Sequence, residues 1–218
     1  MTVDSPIAAR AEEGYLLLAD ISGYTNFMGH VGEAHGVDFS EGIPPGFALM
    51  GALLDAVAEG VGDSFTVVKF EGDAVFAIAP ATSLDGRGSL VVQTLRTTYD
   101  DFLSARVRAD EGRGDHQCNA CIVVGSLDLK MVLHEGSYVV QTVQRQPELL
   151  GHAVNVVHRM LKSTVAEVVN HRHYLHVSDV AATRLGLADA GAAHLETYPD
   201  VGAVPGRVLD LAEAAQGA

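Results

Sequence analysis

Two runs of strand-forming residues, SFTVVKF (64–70) and AVFAIAP (74–80), are separated only by Glu71, Gly72 and Asp73. A gap that short leaves no room for a helical crossover, so the runs must pair antiparallel as a hairpin. Any fold for this chain therefore contains antiparallel sheet, with Lys69, Glu71 and Asp73 at the hairpin tip. Gly and Asp favour turns on conformational grounds alone, and Glu71 reads as a turn residue facing water. Lys69 and Asp73 lie four residues apart across the bend, and the hairpin by itself does not decide whether they share a pocket.

The rest of the chain alternates between both periodicities. YLLLA (15–19) is a continuous apolar run ending at Asp20, as expected of a buried central strand. A helix is predicted from about Thr25, ended by the Gly and Pro of HGVDFSEGIPPG (35–46), and a second over FALMGALLDAVAEGV (47–61). Residues 88–110 carry apolar side chains at helical spacing. LKMVLHEG and SYVVQTV (129–143) suggest a second hairpin, which RQPELLG joins to a helix over 151–168. A strand YLHVS, a helix DVAATRLG and a strand GRVLDL close the chain. This order fits an α+β sandwich of the ferredoxin-like or palm type, a mostly antiparallel sheet with helices packed on one face. Residues 14–211 are expected to form one domain, with 1–13 and 212–218 as loose tails. At 218 residues it can bury a core without disulfide or metal staples.

Charge narrows the function classes. Fourteen Lys plus Arg against 28 Asp plus Glu give a net charge of -14, which repels polyanions and leaves no basic stripe for nucleic acid. No apolar run is long enough to span a bilayer and no secretory signal opens the sequence, so a cytoplasmic protein without a membrane partner is expected. A phosphorylated ligand would then need metal ions or a local basic pocket. The only cysteines, Cys118 and Cys121, form a CxxC with His116 two residues upstream. Part of a zinc site, a redox pair and two plain thiols in a reducing compartment are the open readings.

Asp20 ends a buried strand before the turn ISGYT, and Asp73 sits at the hairpin tip. Singly, each could be a capping or turn residue. If the first strand lies beside the hairpin, both carboxylates reach one sheet edge and raise each other's pKa, a repulsion that divalent cations resolve. On the helix over 151–168, His152, Asn155, His158, Arg159 and Lys162 share one stripe. That stripe is either a solvated face or, through the i, i+4 pair Asn155 and Arg159, a grip for ribose and phosphate.

Taken in order, LLLADISGYTNFM, VVKFEGDAVFAIAP, LKMVLHEG and ELLGHAVNVVHRM resemble the class III nucleotidyl cyclase catalytic domain over residues 15 to about 165. The resemblance implies that Asp20 and Asp73, with the Ile21 carbonyl, bind two Mg²⁺ or Mn²⁺ ions. It implies that Lys69 and Glu148 read the base, that Asn155 orients the ribose, and that Arg159 stabilises the transition state. Metal and transition-state groups then come from opposite subunits of a homodimer with composite sites. The implied activity is conversion of ATP to cyclic AMP and pyrophosphate by attack of the ribose 3′-hydroxyl on the α-phosphate. Glu148 replaces the usual Asp or Thr and His158 the usual small residue, and HQCNAC and the connection QTVQRQPELL are not features of the common domain. An uncharacterised bacterial branch is implied. The competing expectations are a cyclase-like module that binds a nucleotide or partner without turnover, and a zinc or redox protein built on His116, Cys118 and Cys121. His134 reads as structural.

Overall fold

The computed structural model describes residues 9–35, 42–111, 123–144 and 146–213; His116, Cys118 and Cys121 lie outside them. The apolar run before Asp20 becomes β1 (Arg10–Ser22), an interior strand of the sheet. It is followed by α1 (Tyr24–His35) and α2 (Pro45–Gly62), and by the expected hairpin of β2 (Thr66–Glu71) and β3 (Ala74–Pro80). A short α3 (Ala81–Leu84) and the long α4 (Gly88–Glu111) lead to β4 (Asp128–Val143) and β5 (Gln146–Leu150). Then come α5 (His152–Met160), α6 (Val165–Val169), β6 (Tyr174–Ser178), α7 (Asp179–Leu185), β7 (Ala192–Tyr198) and β8 (Gly202–Asp210).

The strands form one mixed sheet in the order β2-β3-β1-β4-β6-β8-β7, with β5 on the far end of β4. Every pairing is antiparallel except β4 with β6. Alternation along β1 sends Tyr15, Leu17, Ala19 and Ile21 into the main core with α1, α2, α4 and α7. Leu16 and Leu18 point the other way, to Phe76, Val132 and the Ala153, Val156, Val157 and Met160 face of α5. The large helices thus pack on one face as expected, and the short α5 and α6 cover part of the other. Burial on both faces explains why YLLLA is apolar without alternation, each Leu contributing about 1.5–3 kcal/mol.

Four details depart from expectation. β1 begins at Arg10, inside the segment expected to be a tail, because β4 is long enough to pair it from Arg10↔Val140 onward. The second hairpin does not turn at Gly136; β4 runs straight through it and turns near Gln144 to pair with β5, inside the supposed connection. Gly136 is there for close approach, since a Cβ would lie 2.9 Å from Ala153 Cβ of α5. The helix over 151–168 is two helices. Lys130 Nζ donates to the Leu161 carbonyl at 3.2 Å, and Glu196 Oε2 accepts from the backbone N–H and hydroxyl of Thr164, each at 3.0 Å, so groups from the sheet hold the break between them. Finally, β7 was not foreseen, because this edge strand is largely exposed and lacks an apolar repeat.

His176 on β6 is fully buried, and neither ring nitrogen has a hydrogen-bond partner. Burial, then the nearby His194, lowers its pKa to about 4. Unfolding therefore takes up a proton at intermediate pH: the stability contribution is present above about 6.5, the unfolded value, and is lost as pH falls toward 4. His176→Leu should remove about 1–2 kcal/mol of the stability lost between roughly pH 7 and pH 5, measured by urea unfolding at both values.

Candidate active site

The first carboxylate is placed by strand register. Asp20 lies opposite Ala74 of β3 and Lys130 of β4, at the end of β1 where the chain enters the turn to α1. The second is placed by the hairpin tip, where Gly72 takes φ 68° and Ile21 N–H donates to the Asp73 carbonyl at 3.1 Å. Glycine suits that left-handed conformation because it has no Cβ to clash. Burial, then the charge of Asp20, raises the Asp73 pKa above the ordinary carboxylate value. Lys130 Nζ sits 3.2 Å from Asp20 Oδ2 as a built-in counter-cation.

Asp20 stands between two cavities. One, of about 490 Å³, is lined by Asp20, Ile21, Asp73, Lys130, Arg172 and the turn that opens α1. The other, of about 480 Å³, is lined by Asp20, Glu71, Asn155, His158, Arg159, Lys162 and Asp200. Four of the chain's 14 cationic side chains, Lys130, Arg172, Arg159 and Lys162, line this pair of cavities in a protein of net charge -14. The local field is thus made far less acidic than the surface as a whole.

The α5 stripe enters through Gly151 at φ 145°, where a Cβ would lie 3.4 Å from both the Ser137 carbonyl oxygen and Tyr138 Cα. Arg159 is not free. Its Nε donates to Asp200 Oδ2 at 3.1 Å, and a second guanidinium nitrogen contacts the same oxygen more closely. That contact holds the Asp200 carboxyl below its ordinary value. His158 Nε2 lies 2.8 Å from Glu71 Oε2, and its Nδ1 lies 2.7 Å from the Val154 carbonyl.

Lys69 and Glu148, from β2 and β5, meet at 3.0 Å, and Lys69 also reaches Glu71 at 3.1 Å. Against burial, hydrogen bonds to Glu148 and Glu71 raise the Lys69 pKa. Burial likewise opposes the downward shift of Glu71, which His158 and Lys69 cause. Glu71 is therefore no idle turn residue; it ties the hairpin to α5 through His158. His134 has the structural setting expected of it, buried with Nδ1 2.8 Å from Ser178 Oγ.

The fold thus brings Asp20, Ile21 and Asp73 to one cavity, Asn155 and Arg159 to the adjoining one, and Lys69 to Glu148. Two carboxylates and a carbonyl are hard oxygen donors, the chemistry suited to Mg²⁺ or Mn²⁺. Lys130, Arg172 and Asp200 were missed in the sequence. Lys130 carried a signal, the one lysine or arginine inside the run LKMVLHEG; Asp200 had only the turn-like PDVG, and Arg172 none. No helix among the described residues is long and apolar enough to cross a membrane.

Residues 50–170 match a family described as a protein of unknown function, DUF2652. The chain is 32% identical over 174 residues to the uncharacterized protein Rv2561/Rv2562 of Mycobacterium tuberculosis, covering 75% of this chain and 74% of that one. Among solved structures, the guanylyl cyclase Cya2 superposes with a TM-score of 0.64 at 16% identity, over 96% of this chain and 97% of that one. The adenylyl cyclase CyaB from P. aeruginosa gives 0.63 at 14% identity, over 96% and 100%. Identities this low establish a shared fold, that of the class III cyclase catalytic domains.

Proposed function

We propose that this chain, which belongs to the DUF2652 family and has the class III nucleotidyl cyclase fold, is a cytoplasmic nucleotidyl cyclase that converts ATP to cyclic AMP and pyrophosphate. The observation that carries the reading is the pair of carboxylates, Asp20 and Asp73, at one cavity, with Asn155 and Arg159 presented together at another. Lys69 and Glu148, a donor and an acceptor side by side, suit the edge of a purine base. Asn155 orients the ribose so that its 3′-hydroxyl faces the α-phosphate. Holding the reacting atoms in line is worth several kcal/mol by itself, about 7–11 in the best intramolecular cases. Arg159 neutralises charge that develops on phosphate oxygens, for which it must exchange Asp200 for the nucleotide. Two Mg²⁺ or Mn²⁺ ions held by Asp20, Asp73 and the Ile21 carbonyl would supply acidification of the 3′-hydroxyl and neutralisation of the leaving pyrophosphate. The 3′-oxygen bonds to the α-phosphorus as the bond to the β-phosphate oxygen breaks, and the hydroxyl proton passes to solvent. The working unit is a homodimer, with the Asp20 and Asp73 side of one protomer completed by Lys69, Glu148, Asn155 and Arg159 of its partner.

Incubation with each of the four nucleoside triphosphates plus Mn²⁺, followed by mass spectrometry, tests this directly. Cyclic AMP is the expected product; no cyclic product from any triphosphate at high protein concentration would refute turnover. A second reading, nucleotide binding without turnover, is favoured by one observation, the Asp200 carboxylate on Arg159. Saturable ATP binding in the absence of product would identify it.

A further inference from the structure

Just before β6, His171 and His173, neither of which lines the carboxylate cavity, flank Arg172, which does. The two imidazoles stack, with ring centroids 4.4 Å apart, beside the Asp210 carboxylate at the end of β8. A ligand atom from each of the three residues lies within 4.8 Å of the other two. Backbone pairing fixes the arrangement: Tyr174 is in register with Asp210, and Leu211 N–H donates to the His173 carbonyl at 3.1 Å.

We propose that His171, His173 and Asp210 form a binding site for a first-row divalent transition ion of the zinc class, separate from the nucleotide cavities and independent of any activity there. His171 Nε2 lies 3.9 Å from Asp210 Oδ2, and His173 Nε2 lies 3.6 Å from Asp210 Oδ1. Both separations are too long for hydrogen bonds. They approach the spacing of two ligands on one tetrahedral ion, roughly 3.3 Å for metal–ligand bonds of about 2.0–2.1 Å. The surroundings supply what such a site requires. Asp128 Oδ2 lies 3.1 Å from His173 Nδ1, and Tyr99 OH donates to Asp128 Oδ1 at 3.1 Å. With its Nδ1–H on a carboxylate, His173 presents the Nε2 lone pair, the carboxylate–histidine arrangement that orients metal-binding imidazoles. Arg96, the nearby cation, is directed to the Asp210 carbonyl and to Glu213. Two nitrogens and one oxygen select a borderline ion over Mg²⁺, and the half-buried setting leaves the fourth position to water.

The test is calorimetric titration of Zn²⁺ into tag-free, EDTA-stripped full-length chain. We expect one ion per chain, measured in an Asp73→Asn background that disables the carboxylate pair, with Kd of about 10 µM or tighter. Binding should be at least ~10-fold weaker in His171→Ala and Asp210→Asn, and ~10–100-fold weaker in Asp128→Asn, which keeps every ligand. Each variant's melting temperature without Zn²⁺ reports whether it has folded. Cys118→Ser with Cys121→Ser should leave affinity unchanged, and Co²⁺-loaded native chain should lack a thiolate charge-transfer band. Absence of stoichiometric binding would overturn the site. So would affinity retained in folded His171→Ala and Asp210→Asn, affinity lost with the cysteines, or a thiolate band on Co²⁺.

Discussion

Asp73→Asn should cut cyclic-nucleotide formation on the order of 10³-fold or more while leaving the chain folded and at least as stable. The loss follows from removing one of the two carboxylates proposed to hold the cations, whose charge stabilisation would be worth several kcal/mol. The retained stability follows from the upward pKa shift. A carboxyl raised by burial and by Asp20 contributes stability below its unfolded pKa and loses that contribution as pH rises through its folded value. At neutral pH the charged Asp73 is therefore a cost, which the amide relieves. Turnover measured beside thermal melts near pH 7 and pH 4 checks both halves, and the stability gain should shrink at the lower pH. Full activity in Asp73→Asn would remove the carboxylate pair from the mechanism; a collapse in stability would show that Asp73 is structural.

Arg159 and Asp200 should move activity in opposite directions. Arg159→Ala removes the guanidinium proposed to neutralise charge on the phosphates and should cost about 10²–10³-fold in turnover, as does loss of one preorganised electrostatic contact elsewhere. Asp200→Asn leaves the guanidinium in place and takes away its competitor. An exposed ion pair is worth at most about 1 kcal/mol, so KM for the triphosphate should fall by about three- to five-fold, with kcat nearly unchanged. The double variant should resemble Arg159→Ala, because the carboxylate acts only through the guanidinium. A turnover gain confined to kcat would mean instead that Asp200 opposes the chemical step rather than nucleotide entry.

Much of the site was legible because its parts sit where local patterns are strong. The run YLLLA fixed β1 and left Asp20 at its end, and a gap of three residues fixed the hairpin that carries Lys69 and Asp73. Their convergence needed only β1 beside β3, which the register shows directly. What escaped depends on contacts distant in sequence. Glu71 looked like a solvated turn residue because its partner His158 lies 87 residues away. Asp200 was hidden by an edge strand without an apolar repeat, and the two faces served by His171, Arg172 and His173 become visible only once β6 is seated beside β8. Gly136 misled for a physical reason: a glycine that admits a neighbouring helix and one that makes a turn look alike in sequence.

Lys130, finally, gives Asp20 a partner of its own. That partner offsets part of the repulsion between the two carboxylates, so the cavity does not depend wholly on bound ions for its shape. With an ammonium already in place, chelation of the proposed ions should stop any turnover without unfolding the chain, and loading would be a reversible exchange of one cation for another. Occupancy would then follow the free divalent-ion level around the protein, and the resting molecule would wait intact for the ion and nucleotide to arrive together.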